Sequence, residues 1–231
     1  IANRRLSDYR AFIIDIPDLS GIKTVAGDYN QGQLSSKMEN DRVLVGSAVQ
    51  YYKSHAMGKL GVTYTTSRKH SQIVAEQFNE NGVPAAFIDG TMDDIERTRI
   101  IKAFARRELL QLVNCELLTF GFDIASASGI DVAIESLTDL QPTKSLAKQM
   151  QKWGRVLRRK AEPALIFDHS GNIMNSKGEV NHSFPDDDRE WTLQGITKTK
   201  GEGKERAVKI MQCSRCYYAQ RPNYERRCNN C

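Results

Sequence analysis

The chain has 231 residues, of which 40% are hydrophobic and 26% charged, with a formal net charge of +5. This composition is ordinary for a globular protein with one main core and an appendage, and no apolar run approaches a membrane span. No signal peptide opens the chain, so we expect a cytoplasmic protein without a membrane partner. Because the first residue is Ile rather than Met, we expect a fragment or a processed piece.

The middle of the chain alternates between strand-like and helix-like patterns. Strands are predicted at 59–66, 84–90, 109–114, 130–136 and 163–168, and helices at 70–82, 92–107 and 145–158. In the second helix, four apolar residues stand at core spacing. These are Ile95, Ile100, Ile101 and Phe104. Ser145 is a natural N-cap for the third helix.

Strands that alternate with helices through short connections predict an α/β fold, with a parallel sheet covered on both faces. Ligands in such sheets bind beyond the carboxyl ends of the strands. The strand ends to inspect are therefore 65–67, 89–90, 119–123 and 168–172.

Four of the five cysteines fall in the last nineteen residues, as Cys213 with Cys216 and Cys228 with Cys231. Eleven residues separate the two pairs. Two tight knuckles that present four sulfurs predict a tetrahedral Zn²⁺ site. Two disulfides or a redox pair are the alternatives, and a cytosolic setting argues against disulfides. Cys115, in an apolar run, is interpreted as an inert core thiol.

The positive charge is concentrated at the end of the chain. From residue 198 to 231, nine Lys and Arg against three Glu give +6, so the remainder carries −1. A basic tail on a nearly neutral body indicates a polyanionic partner such as nucleic acid. Thiolates bound to a metal would remove part of that excess.

Several motifs occur in a familiar order: "VTYTTSRKHS", "GVPAAFIDGTMDDIERTRIIKAF", "LLTFGFD", "LQPTKS", "QKWGRVLR" and "LIFDHSGN". Together, over roughly residues 40 to 195, they resemble the second RecA-like domain of superfamily 2 DEAD/DEAH-type helicases. Bacterial and phage members, among them RadD-like DNA-repair helicases with cysteine zinc knuckles, are the most similar type. The resemblance implies a RecA-like sheet and ATP with Mg²⁺ as cofactor.

The resemblance assigns the catalytic roles to "QKWGRVLR". Arg155 and Arg158 would reach across a cleft to the phosphates of ATP on a partner domain, and Gln151 would organise the γ-phosphate and the attacking water. Gly154 would permit close approach of the helix. Two arginines three residues apart can also decorate a solvated helix face. Trp153 is interpreted as packing.

The resemblance also places strand-binding contacts in the loops. In "TFGFD", Thr119 would contact a nucleic-acid phosphate, Gly121 would let the backbone approach, and Asp123 would join the ribose or an arginine. The resemblance also makes Asp89 and Gly90 contacts for a nucleic-acid strand. Thr65, Thr66 and Ser67 fit phosphate-gripping positions, with strand-end capping as an equal alternative.

Phe120 stands where the family often has Glu or Arg, so the contact of the loop at that point is left open. Gln141 stands where the family commonly has Arg, so a phosphate contact there is also left open. No G-x-x-x-x-G-K-[ST] phosphate loop occurs in the sequence, so we expect the chain alone to lack ATPase activity.

We therefore expect residues 1–35 to be a connector from a first RecA-like domain of the same chain. Residues 36–195 would form the helicase C-terminal domain, and 196–231 a basic linker with a four-cysteine, zinc-ribbon-like module. The expected function is the C-terminal half of an ATP-dependent helicase or translocase that acts on single-stranded DNA rather than RNA. A non-catalytic binding module for nucleic acid or protein, built on a degenerate RecA-like fold, is the alternative.

Overall fold

The computed structural model describes residues 6–115, 129–189 and 209–231, and within these ranges the chain forms ten strands and five helices. The strands are β1 Tyr9–Ile13, β2 Thr24–Val25, β3 Asp28–Tyr29, β4 Gly61–Tyr64, β5 Ala85–Ile88, β6 Gln111–Asn114, β7 Ser136–Asp139, β8 Ala164–Asp168, β9 Met211–Gln212 and β10 Tyr218–Gln220. The helices are α1 Gln31–Asn40, α2 Arg42–Ala56, α3 Arg68–Glu80, α4 Asp94–Ala105 and α5 Leu146–Val156. No helix in the described ranges is long and apolar enough to cross a membrane.

Eight strands form one sheet in the order β5-β6-β4-β7-β8-β1-β10-β9. The first six are parallel, and β10 and β9 extend the sheet in antiparallel fashion beyond β1. Strands β2 and β3 form a separate hairpin. The predicted α/β class with a mostly parallel sheet is thus confirmed, and the carboxyl ends of the six parallel strands meet at one edge.

Helices cover both faces of the sheet, as predicted. On one face α1, α2 and α3 pack through residues such as Met38, Tyr52 and Phe78. On the other face α4 and α5 pack through Phe104 and Trp153. Each helix buries an apolar stripe against strands that are themselves buried on both sides, which is the arrangement that parallel sheets require.

Two local predictions are wrong. The strand predicted at 130–136 begins only at Ser136. The segment that pairs with β4 on one side and β8 on the other is Ser136–Asp139. Ile95, predicted in the core of α4, is 80% exposed, whereas Ile101 is fully buried. Five residues at 100° each place Ile95 about 140° away from Ile100 on the helix.

The sheet draws on all three predicted segments of the chain. Strand β1 comes from the stretch predicted as a connector, and α1 crosses the expected boundary at residue 35. Strands β9 and β10 come from the cysteine-containing module. The module therefore continues the main sheet, and it is held to β1 by the Ala11–Ala219 and Phe12–Tyr218 pairs.

Candidate functional site

Helix α5 presents two chemically different faces. The Ser145 hydroxyl accepts a hydrogen bond from the Lys148 N–H at 3.4 Å, which confirms the predicted N-cap. Four side chains on one face are buried: Gln149, Lys152, Trp153 and Val156. On the other face Gln151 and Gly154 are exposed and Arg155 is half-buried. The helical spacing of "QKWGRVLR" thus separates an anchoring face from a face that an external ligand can reach.

A buried ion pair holds the anchoring face of α5 to the carboxyl end of β7. The Lys152 ammonium donates to both carboxylate oxygens of Asp139 at 2.8 and 2.9 Å, and the two side chains are 0% and 1% exposed. Lys152 also donates to the Gln141 carbonyl at 2.9 Å. Burial lowers the pKa of Lys152, and the Asp139 charge opposes that shift. In so dry a position the pair depends on every remaining hydrogen bond being made.

Neighbouring amides add donors to this network, while the buried Gln149 Oε1 has no hydrogen-bond partner among the described residues. The Gln149 amide donates to Asp139 at 3.1 Å and the Asn172 amide donates to the same oxygen at 3.0 Å. The Asn172 side chain also donates to the Gln141 carbonyl at 2.9 Å and accepts from the Thr143 N–H at 2.9 Å. Strand ends β7 and β8 are therefore joined to α5 through one set of directional bonds.

Asp168, at the end of β8, has a structural role. Its carboxylate accepts from the Ser170 hydroxyl at 2.6 Å and from the backbone N–H groups of Ser170, Asn172 and Ile173. Burial, followed by the nearby Asp139 charge, raises the pKa of Asp168. The carboxylate therefore organises the loop that carries Asn172.

The two arginines of the motif lie near different parts of the protein. Arg155 lies within electrostatic range of the buried Tyr64 phenol, whose pKa is raised by burial and lowered in part by the guanidinium. Arg158 follows the end of α5, and its backbone forms an isolated antiparallel bridge with Leu6. Both arginines also have interactions within the chain.

The hydroxyl groups after β4 are turned inward. Thr65 is 0% exposed, and its hydroxyl hydrogen-bonds the Ser71 hydroxyl at 2.6 Å and the Asn114 carbonyl at 3.1 Å. Ser67 caps α3 by accepting from the His70 N–H at 3.0 Å, and its hydroxyl donates to Glu39 at 2.5 Å. The capping interpretation therefore describes these contacts, and half-buried Ser67 remains closer to the surface.

His70 is held neutral beneath this loop. The Thr66 N–H donates to His70 Nδ1 at 3.3 Å, which makes Nδ1 an acceptor and places the proton on Nε2. Burial lowers the pKa of His70 to about 4. The same cause lowers the pKa of His169, at the end of β8, to about 4.

The two residues after β5 that are predicted to contact nucleic acid differ in exposure. Asp89 is buried, and its carboxylate accepts from Arg68 Nε at 2.8 Å and from Thr91 N and Oγ1, each at 2.7 Å. Gly90 is exposed. The predicted loop residues Thr119, Phe120, Gly121 and Asp123 lie outside the described residues.

The four predicted metal ligands converge. Cys213 Sγ lies 3.6 Å from Cys231 Sγ, and Cys216 Sγ lies 3.6 Å from Cys228 Sγ. All four sulfurs lie within 4.8 Å of one another. Tetrahedral zinc with Zn–S bonds of about 2.3 Å requires sulfur separations of about 3.8 Å, whereas a disulfide requires about 2.05 Å. The cluster therefore has the dimensions of a metal site.

A backbone N–H group donates to one sulfur in each knuckle. The Arg215 N–H donates to Cys213 Sγ at 3.4 Å, and the Asn230 N–H donates to Cys228 Sγ at 3.3 Å. The N–H groups of Cys216 and Arg215 lower the pKa of Cys213 to about 6. Cys115, by contrast, is half-buried and belongs to no such cluster among the described residues.

The first knuckle lies at the same sheet edge as the strand-end loops. The Ile13 N–H donates to the Tyr217 carbonyl at 3.0 Å, and the Gln212 amide donates to the Ile13 carbonyl at 2.6 Å. Since Ile13 is the last residue of β1, Cys213 and Cys216 lie beyond the carboxyl end of that parallel strand. This edge also carries Ser67, Gly90 and the Asp139 network.

Comparison with known proteins identifies the class. Residues 44–160, about half of the chain, match the helicase conserved C-terminal domain, and the chain belongs to this family.

Relatives include the "51.5 kDa protein" of Lactococcus phage (isolate 7-9), which is 29% identical over 232 residues, covering 100% of this chain and 48% of that protein. The "Putative ATP-dependent helicase IRC3" of Saccharomyces cerevisiae (strain ATCC 204508 / S288c) is 28% identical over 143 residues, covering 61% of this chain and 20% of that protein. Among solved structures, the C-terminal domain of the DEAD-box protein Dbp5 aligns with a TM-score of 0.48 at 14% identity, covering 61% of this chain and 74% of that one. The chain spans about half or less of these two curated relatives.

The sequence interpretation does not identify Asp139 or Lys152, and it includes Asn172 only as part of the strand end at 168–172. With the strand placed at 130–136, Asp139 did not stand out as a strand end, although Asp139 is the last residue of β7. Lys152 adjoins Trp153 on the buried face of α5, and a lysine there signals a buried partner. That signal was available in the sequence.

The buried histidines predict a pH dependence of stability. With native pKa values of about 4 against about 6.5 in the unfolded chain, the unfolded state binds more protons in this window. The free energy of unfolding should therefore fall as pH drops from about 6.5 to 4, by roughly 1.4 kcal/mol per pH unit for each histidine. Urea unfolding at several pH values should show a shallower slope for His70→Gln than for wild type. The exposed His55→Gln variant is the control, and an equal slope in His70→Gln would contradict the assignment.

Proposed function

We propose that this chain is the second RecA-like half of an ATP-dependent nucleic-acid helicase or translocase. The observation that carries the proposal is α5: its buried face is fixed by the Lys152–Asp139 pair, and its exposed face presents Gln151, Gly154 and Arg155. Family membership over residues 44–160 supports the same function. The partner is an N-terminal RecA-like domain of the complete protein, which supplies the phosphate loop and the Mg²⁺ carboxylates.

Arg155 and Arg158 act on ATP bound to that partner domain. Phosphoryl transfer spreads negative charge over the γ-phosphate oxygens, and a guanidinium fork stabilises that charge with two parallel donors. Gln151, one turn before Arg155, orients the γ-phosphate and the attacking water. No contact within the described residues requires glycine at position 154, since a Cβ there would meet nothing within 4 Å. A partner domain that approaches the helix closely would require it. Gly121 and Asp123 complete the nucleotide contacts.

Nucleic acid binds along the loops at the carboxyl edge of the sheet. Backbone and side-chain groups of Ser67, Gly90 and Thr119 contact phosphates, which carry no sequence information. Thr65 and Asp89 support these loops from below, because both side chains are buried and already hydrogen-bonded. We propose single-stranded DNA as the substrate, bound with little sequence preference.

The four cysteines hold one structural Zn²⁺. The sulfur separations and the N–H donors to Cys213 and Cys228 fit four thiolate ligands. Bound metal would fix the two knuckles and keep β9 and β10 on the edge of the sheet. Structural zinc of this kind contributes directly to folding.

Metal analysis tests the zinc proposal. Freshly purified, reduced protein should contain one zinc per chain by mass spectrometry of the dissolved metal. Cys216→Ser should lower the zinc content and release β10 from β1, which hydrogen exchange of Ala219 would detect. Cys115→Ser is the matched control and should keep the metal. Protein with its thiols intact and no stoichiometric zinc would overturn the proposal.

Turnover measurements test the arginine role. In the complete protein, Arg155→Ala should lower nucleic-acid-stimulated kcat by about 10³–10⁵, because the guanidinium acts mainly when charge moves onto the γ-phosphate oxygens. Arg155→Lys should recover little, since an ammonium lacks the planar fork. The exposed Arg159→Ala variant is the control. Normal turnover in Arg155→Ala would favour the alternative of a non-catalytic binding module.

Gly154→Ala separates function from folding in the same assay. Alanine should raise the free energy of unfolding by roughly 0.5–1 kcal/mol, because glycine is a poor helix former and the added Cβ has open space. If a partner domain approaches the helix at this point, the same variant should hydrolyse ATP more slowly despite its greater stability.

A further inference from the structure

Tyr224 stands fully exposed at the tip of a turn in the cysteine module. Its relative exposure is 104%, the highest of the large hydrophobic side chains exposed in the described ranges. Residues 223–226 form the turn, which is closed by a 3.2 Å hydrogen bond from the Arg226 N–H to the Asn223 carbonyl. Tyr224 is therefore the first of the two central residues, and its side chain projects away from the protein.

The base of this turn is rigid. The Asn223 side chain accepts from the Arg227 N–H at 3.0 Å and donates to the Arg227 carbonyl at 2.7 Å and to Asn229 Oδ1 at 2.8 Å. Gln220, the last residue of β10, donates to the Arg227 carbonyl at 2.8 Å and accepts from the Asn229 N–H at 2.7 Å. The turn is thus tied directly to the main sheet.

Arg221 fixes the other side of the turn to the helicase domain. Its guanidinium donates to Asp186 at 3.0 and 3.1 Å and to Asp187 at 2.5 Å. Arg226 adopts a positive φ of 52°, a conformation that costs a non-glycine residue energy and that the surrounding hydrogen bonds hold in place. The Tyr224 ring is therefore exposed to solvent at the tip of a turn that hydrogen bonds fix to β10 and to Asp186.

The charge around Tyr224 identifies the kind of partner. Residues 209–231 contain five Lys and Arg against a single acid, Glu225. Arg221 is paired to two aspartates, while Arg215, Arg226 and Arg227 are exposed, and Arg227 forms only a loose surface ion pair with Glu225 at 3.9 Å. A positive surface with one projecting aromatic ring suits single-stranded nucleic acid, whose bases stack on aromatic rings while its phosphates attract cations.

We propose that Tyr224 is a base-stacking residue for single-stranded nucleic acid and that Arg226 and Arg227 contact the adjoining phosphates. The contact would be separate from the loops at the carboxyl sheet edge, because β10 runs antiparallel to β1 and the chain leaves Gln220 toward the amino end of β1. This inference rests on the proposed nucleic-acid function and adds to it a contact outside the helicase motifs.

Binding of a fluorescein-labelled dT20 oligonucleotide by the 231-residue chain, followed by anisotropy, tests the proposal. Tyr224→Ala should weaken binding by about 5- to 150-fold, the range measured for loss of one base stack. Tyr224→Phe should bind like wild type, and Tyr224→Leu should bind weakly because it is apolar but has no π-face. Ile95→Ala, another exposed apolar side chain at 80% exposure, is the control.

Salt dependence separates stacking from charge. Tyr224→Ala should keep the slope of log K against log salt, while Arg226→Gln should reduce it by about 0.7. Wild-type affinity in Tyr224→Ala or in Tyr224→Leu would overturn the stacking role and leave the nucleic-acid function intact. Absence of any dT20 binding by the wild-type chain would overturn both. Equal zinc content and unfolding midpoint in all variants would establish that the differences arise at the binding surface.

Discussion

The arrangement of the candidate site depends on the buried ion pair between Lys152 and Asp139. Removing an ammonium and a carboxylate from water costs several kcal/mol per ion, and only their attraction and the surrounding hydrogen bonds offset it. Here the Asp139 carboxylate accepts from Lys152, Gln149 and Asn172, and these donors hold it in place. Because Lys152 lies beside Gln151 in sequence, that geometry also fixes the direction of the exposed face of α5.

The cysteine module is built into the same framework. Antiparallel strands β10 and β9 continue the parallel sheet past β1, and Arg221 joins the module to Asp186 and Asp187. Tyr217 and Tyr218 at the start of β10 pack against Tyr51 and Phe12. The cluster of four cysteines is therefore placed by the core sheet, and its first knuckle shares an edge with the strand-end loops.

Much of this architecture was predictable from local pattern. The helical spacing of "QKWGRVLR", the N-cap at Ser145 and the paired cysteines depend on a few neighbouring residues, and the structure confirms each of these local arrangements. The position of β7 was not predictable from hydrophobicity, because Ser136 and Thr138 are buried by the central place of their strand. The Lys152–Asp139 pair joins residues 13 positions apart, and it becomes evident only when α5 folds back over β7. The inward turn of the Thr65 hydroxyl likewise depends on Asn114, from a different strand.

The free energy of unfolding in a double-mutant cycle of Lys152 and Asp139 tests this account most directly. Lys152→Met and Asp139→Leu should each cost about 3–5 kcal/mol, because each leaves an unpaired buried charge. The double variant should lose much less than the sum, since two apolar side chains then replace the pair. Losses below about 1 kcal/mol in both single variants, as for a surface pair, would contradict the claim that this interaction anchors the helix.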